Sequence, residues 1–287
     1  MTNAALTATD ADAQIQKQRQ KALQMVFGEK FGSNFQSPVV FIDNAELQSP
    51  ASTRFFRKDF AYLSKQLFLE YQYRSWRGFN PETLEKYNEV ITKKLASINT
   101  LMTSNISRLE KLLQQNGVKM ETSLYPNPVH MTVPVIAAHA RSYFKLLTDL
   151  DKVNLMAGTA NLLGVIDSAQ RAEVEFLCKK AVRAFRAILQ TEVVKLYREA
   201  DRLIKEQQTS GTVNPEMADV VSQQGKDIAA FSASESEGAD ADSSMDLGGA
   251  DPSKVIDDAT AAAVAAAGKG KAKTPKAKEV DPAAVAA

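Results

Sequence analysis

One stretch limits the choice of fold more than any other. Between Asn80 and Gly117 the apolar residues Leu84, Tyr87, Ile91, Leu95, Ile98, Met102, Ile106, Leu109 and Leu113 recur every three or four positions, which is the spacing of one helix face. Asn80 before Pro81 reads as an N-cap followed by a first-turn proline, Glu82 and Glu85 suit the positive end of the helix dipole, and Gly117 ends the run. The spacing predicts a helix over 81–116, about 36 residues and about 54 Å at 1.5 Å per residue. Such a rod carries an apolar stripe from end to end, so it needs other helices of the chain, or a second protomer, along its length.

A second helical region follows. Tyr143, Leu146, Leu147, Leu150, Val153, Ala157 and Ala160 form a stripe that reaches Leu163. Gly164 is a helix stop, Asp167 is a cap for the next helix, and Gln170 stands in capping-box position. A helix pair over 138–207 is therefore expected, folded back on itself as a hairpin. The apolar stripe of its second member drifts after Leu189, which allows a bend or a change of partner near Gln190. Earlier in the chain, residues 14–27 have moderate helical character.

Strand signals are short. SPVVFID (37–43) is closed by Asp43 and Asn44, VKMETSLY (118–125) alternates, and VHMTVPVI (129–136) alternates before Pro134. The fold class expected is mainly α: a helical bundle with long helices and a few short β-strands, occupying 14–207, after a disordered 1–13.

Charge divides the chain in two. Residues 208–287 hold 7 Lys and 13 Asp or Glu, net −6; the remainder holds 35 − 7 = 28 basic and 34 − 13 = 21 acidic residues, net +7. The segment 208–287 is acidic and serine-rich, then Ala- and Lys-rich, and it reads as a disordered tail. A basic body with an acidic tail is compatible with nucleic-acid binding.

Nine of the 21 aromatic residues lie between Arg54 and Phe79, interleaved with Arg54, Arg57, Lys58, Lys65, Arg74 and Arg77. That mixture suits stacking on single-stranded nucleic acid. Helical spacing of Phe56, Phe60, Leu63, Leu67 and Tyr71 favours core packing instead, with the basic residues on the wet side.

Catalytic chemistry is poorly supported. The chain has two histidines and one cysteine, no G-x-S-x-G, and a GKGKAK run that lacks the other residues of a Walker A loop. His139, near a helix start, reads as a capping or packing residue. A non-enzyme without cofactor or metal is expected. The single Cys178 fits a reducing compartment, and neither a secretory leader nor a membrane-spanning run is evident, so a cytoplasmic location with no membrane partner is expected.

The basic side of the second helix is the main binding candidate. Lys179, Arg183 and Arg186 fall on one side, Lys180 flanks them, and no acid lies between residues 176 and 191. These residues are placed to meet DNA phosphates; a solvated bundle face would have the same pattern. A strand followed by two helices is also the order of a ribbon-helix-helix unit, in which strands of two protomers pair and enter the major groove. His130 and Thr132 would then point outward.

The segment from about Tyr87 to Leu189 resembles the AcaB-like proteins of conjugative plasmids and integrating conjugative elements. The likeness is carried by NEVITKKLASINTLMTSNISRLEKLL, MTVPVIAAHARSYFKLLTDLDKVNLM and LLGVIDSAQRAEVEFLCKKAVRAFRAIL. It implies a DNA-binding transcriptional activator of transfer functions. Double-stranded DNA and a second copy of the chain are the expected partners. The alternative is a non-enzymatic helical adaptor that assembles with other conjugation-system proteins through the long helix.

Overall fold

The computed structural model describes residues 3–118, 123–237 and 251–268. In chain order its elements are α1 (Asn3–Phe27), α2 (Glu29–Asn34), β1 (Val40–Leu47), α3 (Pro50–Phe55), a π-helical turn (Phe56–Phe60) and α4 (Ala61–Ser75). They are followed by α5 (Pro81–Gln115), β2 (Val129–Val135), α6 (Ala138–Leu162), α7 (Ser168–Ser210), α8 (Pro215–Glu237) and α9 (Pro252–Gly268).

Helix α5 forms where its pattern predicts. Asn80 Oδ1 accepts from the Glu82 amide at 2.9 Å, and Gly117 turns left-handed at φ 71°, a backbone region open to glycine. All nine stripe residues are buried. Their partners come from the same chain: α5 packs against α6, α7, α9 and α4. Leu101 and Asn105 are buried as well, because the rod is gripped on more than one side.

The α6–α7 hairpin also follows its local signals. Gly164 takes φ 69°, the Val165 amide donates to Ala160 at 2.8 Å, and Asp167 with Gln170 closes a reciprocal capping box. Helix α7 runs unbroken past Gln190 to Ser210. Around that point Gln190 accepts a hydrogen bond from the Tyr62 hydroxyl, and α8 accompanies α7 on both sides of it, with Phe231 at Arg186 and Gly225 so near Tyr197 that a Cβ there would come within 2.9 Å of the hydroxyl.

The strands differ from expectation in their pairing. β2 pairs antiparallel with β1 of the same chain, with Val133 opposite Ile42 and His130 opposite Glu46, so its partner here is not the strand of a second protomer as in a ribbon-helix-helix dimer. Asp43 and Asn44 do not end β1. They form a bulge within it, with Asn44 at φ 55°, a conformation asparagine tolerates better than most residues. Residues 119–122 of the expected strand 118–125 lie outside the described residues.

Both ends carry more helix than expected. α1 begins at Asn3 rather than near residue 14; its NAALTATDADA start contains good helix formers, which balance weak periodicity. Within 208–287, where disorder is expected, α8 and α9 are helices, and residues 238–250 and 269–287 lie outside the described residues. The sparse apolar residues of these helices share a face: Val221 and Phe231 are buried on α8, and Val255, Ile256, Ala259 and Ala263 on α9. The alanines of α9 let it approach α5 and α7 closely, and Lys94 Nζ meets Asp257 Oδ1 at 2.9 Å. Polar composition hid these faces because only a few residues in each helix carry them.

Candidate nucleic-acid interface and a neighbouring cleft

The aromatic block around α4 is core except for Tyr71, which the helical spacing placed in the core stripe but which is 66% exposed, because its turn of α4 is not covered by another element there. Phe55, Phe60, Phe68, Tyr73, Trp76 and Phe79 are buried, whereas Arg54, Arg57, Lys58, Arg74 and Arg77 are exposed. Buried rings offer no stacking platform, and the one exposed ring of α4, Tyr71, makes no series of platforms, so the reading as a single-strand binding surface loses most of its basis.

The four basic candidates of α7 stand together, but each is half-buried and engaged within the chain. Lys179 Nζ donates to Glu175 at 3.0 Å. Lys180 Nζ sits 5.6 Å from the Phe176 ring centroid, and the Arg183 guanidinium 5.8 Å from that of Phe55. Arg186 Nη1 meets Asp59 Oδ1 of the π-helical turn at 3.0 Å, and its guanidinium lies 5.5 Å from the Phe231 ring of α8. The face is therefore neither fully wet nor fully covered. Burial alone would raise the Glu175 carboxyl, yet hydrogen bonds from Arg171 and Lys179 outweigh it and hold the group below its ordinary range.

His130 and Thr132 belong to another part of the molecule. The main packing partners of β2 are β1, α1 and α6, and those of α7 are α5, α6, α8 and α9. His130 is exposed, with Nδ1 3.8 Å from Glu46 Oε2, and Thr132 is half-buried.

Cys178 is buried, its thiol pushed up to about 12 chiefly by desolvation, so it is a packing group rather than a nucleophile. Among the described residues no cluster of three His, Cys, Asp or Glu could hold a metal ion, and no helix is long and apolar enough to cross a membrane.

A feature the sequence concealed lies at the start of α6. His139 joins three helices there: its Nε2 is 3.0 Å from Thr92 Oγ1 on α5, and its Nδ1 is 3.9 Å from Glu70 Oε2 on α4. Burial lowers its pKa, and Glu70 only partly counters that. Glu70 Oε1 accepts from Arg74 at 2.7 Å. These groups border a cleft of about 480 Å³ with mostly apolar walls. Helical spacing places Glu70 and Arg74 on one face of α4, but no local signal brings His139 to them from about seventy residues away.

The architecture has a counterpart among solved structures. It is similar to that of AcaB. The crystal structure of selenomethionine-containing AcaB from uropathogenic E. coli aligns at a TM-score of 0.54 and 18% identity, covering 66% of this chain and 100% of AcaB. No protein-family model and no curated protein matches the chain. The likeness to AcaB is thus one of fold. It agrees with the resemblance carried by the segments between Tyr87 and Leu189.

Proposed function

We propose that this protein is a DNA-binding regulator of transfer genes on a mobile element, acting as a homodimer on double-stranded DNA. The observation that carries this reading is the fold likeness spanning the whole of AcaB, together with the family resemblance read from the sequence. The local charge is compatible with it. Lys179, Lys180 and Arg183 lie on one stretch of α7, and the exposed Arg57 and Lys58 stand beside Asp59, whose contact with Arg186 ties the π-helical turn to α7. His130 and Thr132 are proposed as a second contact, on β2.

The adaptor reading has less support, because its docking stripe is occupied. Leu95 and Ile98 are buried against helices of the same chain.

The test is duplex affinity by fluorescence anisotropy across a salt series. Binding should fall steeply with salt, and absence of binding at about 50 mM salt overturns the reading. Replacing Lys179, Lys180 and Arg183 by Gln should weaken binding on all sequences and reduce the salt slope by about 3. Arg186 is left in place because it neutralises Asp59.

A further inference from the structure

The cleft at the start of α6 has the make-up of a small-molecule site: apolar walls, a few convergent polar groups, and a volume in the range of ligand pockets. Its walls include Leu67, Phe68, Tyr71 and Ile136. Tyr71 leaves 66% of its surface exposed at the rim although its ring lies 5.7 Å from that of Phe68. An aromatic side chain so placed loses the benefit of burial unless something covers it.

The charges are arranged in a particular way. Glu70 and Arg74 are one helical turn apart, so a carboxylate and a guanidinium line the cleft side by side. The Glu70 side chain is 14% exposed, and only its Oε1 is in hydrogen-bond contact with Arg74. Oε2 lies 3.9 Å from His139 Nδ1, beyond hydrogen-bond reach, so this oxygen can accept another donor. A neutral imidazole there supplies no compensating charge. The guanidinium is 58% exposed and has donors to spare. Beside it, Ala137 and Ala138 bring the first turn of α6 to the cleft, and that turn has no side-chain cap.

From this arrangement we infer that the cleft binds a small zwitterion with an apolar side chain, an α-amino acid or a compound of that class. Its ammonium group hydrogen-bonds Glu70 Oε2, its carboxylate meets Arg74 and the α6 amides, and its side chain covers Tyr71 and Phe68. A ligand with only one of the two charges engages either Glu70 Oε2 or the spare donors of Arg74, but not both. This distinguishes the site from a general anion or cation site.

The test uses the full chain and three probes of one shape: L-phenylalanine, hydrocinnamate, which lacks the ammonium, and phenethylamine, which lacks the carboxylate. Titration calorimetry should show phenylalanine binding at least about tenfold more tightly than either, the value of one charge-assisted hydrogen bond. Glu70→Gln should abolish the advantage over hydrocinnamate, and Arg74→Gln the advantage over phenethylamine. Tyr71→Ala, at an exposed position that leaves folding intact, should weaken all three. The inference is overturned if none of the probes binds at about 10 mM, the weak limit for a ligand of this size. It is equally overturned if phenylalanine binds no better than its singly charged analogues. Because duplex affinity is measured separately, either outcome leaves the DNA-binding reading standing or falling by itself.

Discussion

Arg186 Nη1 lies 3.0 Å from Asp59 Oδ1, and the Asp59 side chain is only 1% exposed. A carboxylate so deep in the protein is tolerated because a cation stands beside it. The residue singled out as a phosphate contact thus has a structural task, holding the π-helical turn against α7. The neighbouring Tyr143 is fully buried, and its hydroxyl is raised well above its ordinary pKa, first by burial and then by Asp59.

Arg186→Ala should cost about 3–5 kcal/mol, the usual penalty for leaving a buried charge without its partner. The double variant Asp59→Leu/Arg186→Leu should recover much of that loss, because the uncompensated charge is gone. Urea denaturation measures both. Equal loss in the single and double variants would show that packing, rather than charge, dominates the site.

The acidic part of the chain makes a second prediction. Ile256 on α9 is fully buried, so Ile256→Ala should cost about 2–4 kcal/mol of docking energy. Asp257 is 59% exposed but its partner Lys94 only 10%; Asp257→Asn keeps an oxygen that can accept from the ammonium, so it should cost about 1–2 kcal/mol, less than Ile256→Ala. Hydrogen exchange along α9 would report both; a larger effect at Asp257 than at Ile256 would contradict the packing described.

His139 gives a pH dependence. Its pKa in the folded chain lies below the ordinary 6.5, chiefly through burial. As pH falls, the unfolded chain takes up this proton first, so acid favours unfolding. The stability linked to His139 is complete above the ordinary value and is lost as pH falls through it toward the lower folded value. Thermal midpoints of the parent should therefore drop more between pH of about 7.5 and 5 than those of His139→Asn. Parallel profiles would mean that the imidazole is not desolvated by the fold.

Much of the architecture could be read from residues close together in the chain. The α5 stripe, the Asn80 cap and the Asp167–Gln170 box rest on contacts within a few positions, and each formed as read. The candidate site was less legible. The cluster Lys179 to Arg186 is a true local excess of charge, but the sequence near it contains neither Asp59 nor Phe231, which set its exposure. The tail helices escaped notice because four small or branched side chains on α9 are enough only when a groove between α5 and α7 is waiting for them.

The sequence alone determined the extents of α5, α6 and α7, because periodicity and capping act over three or four residues, whereas the first turns of α1 and the helices α8 and α9 carried too weak a local pattern to be read. Only the tertiary structure decided which faces are wet. Asp59 and Arg186 are 127 positions apart, and Lys94 and Asp257 are 163 apart. Pairings at such separations depend on how whole helices pack, so charge and polarity read along the chain could not reveal whether a basic residue meets solvent, a ring or a buried carboxylate.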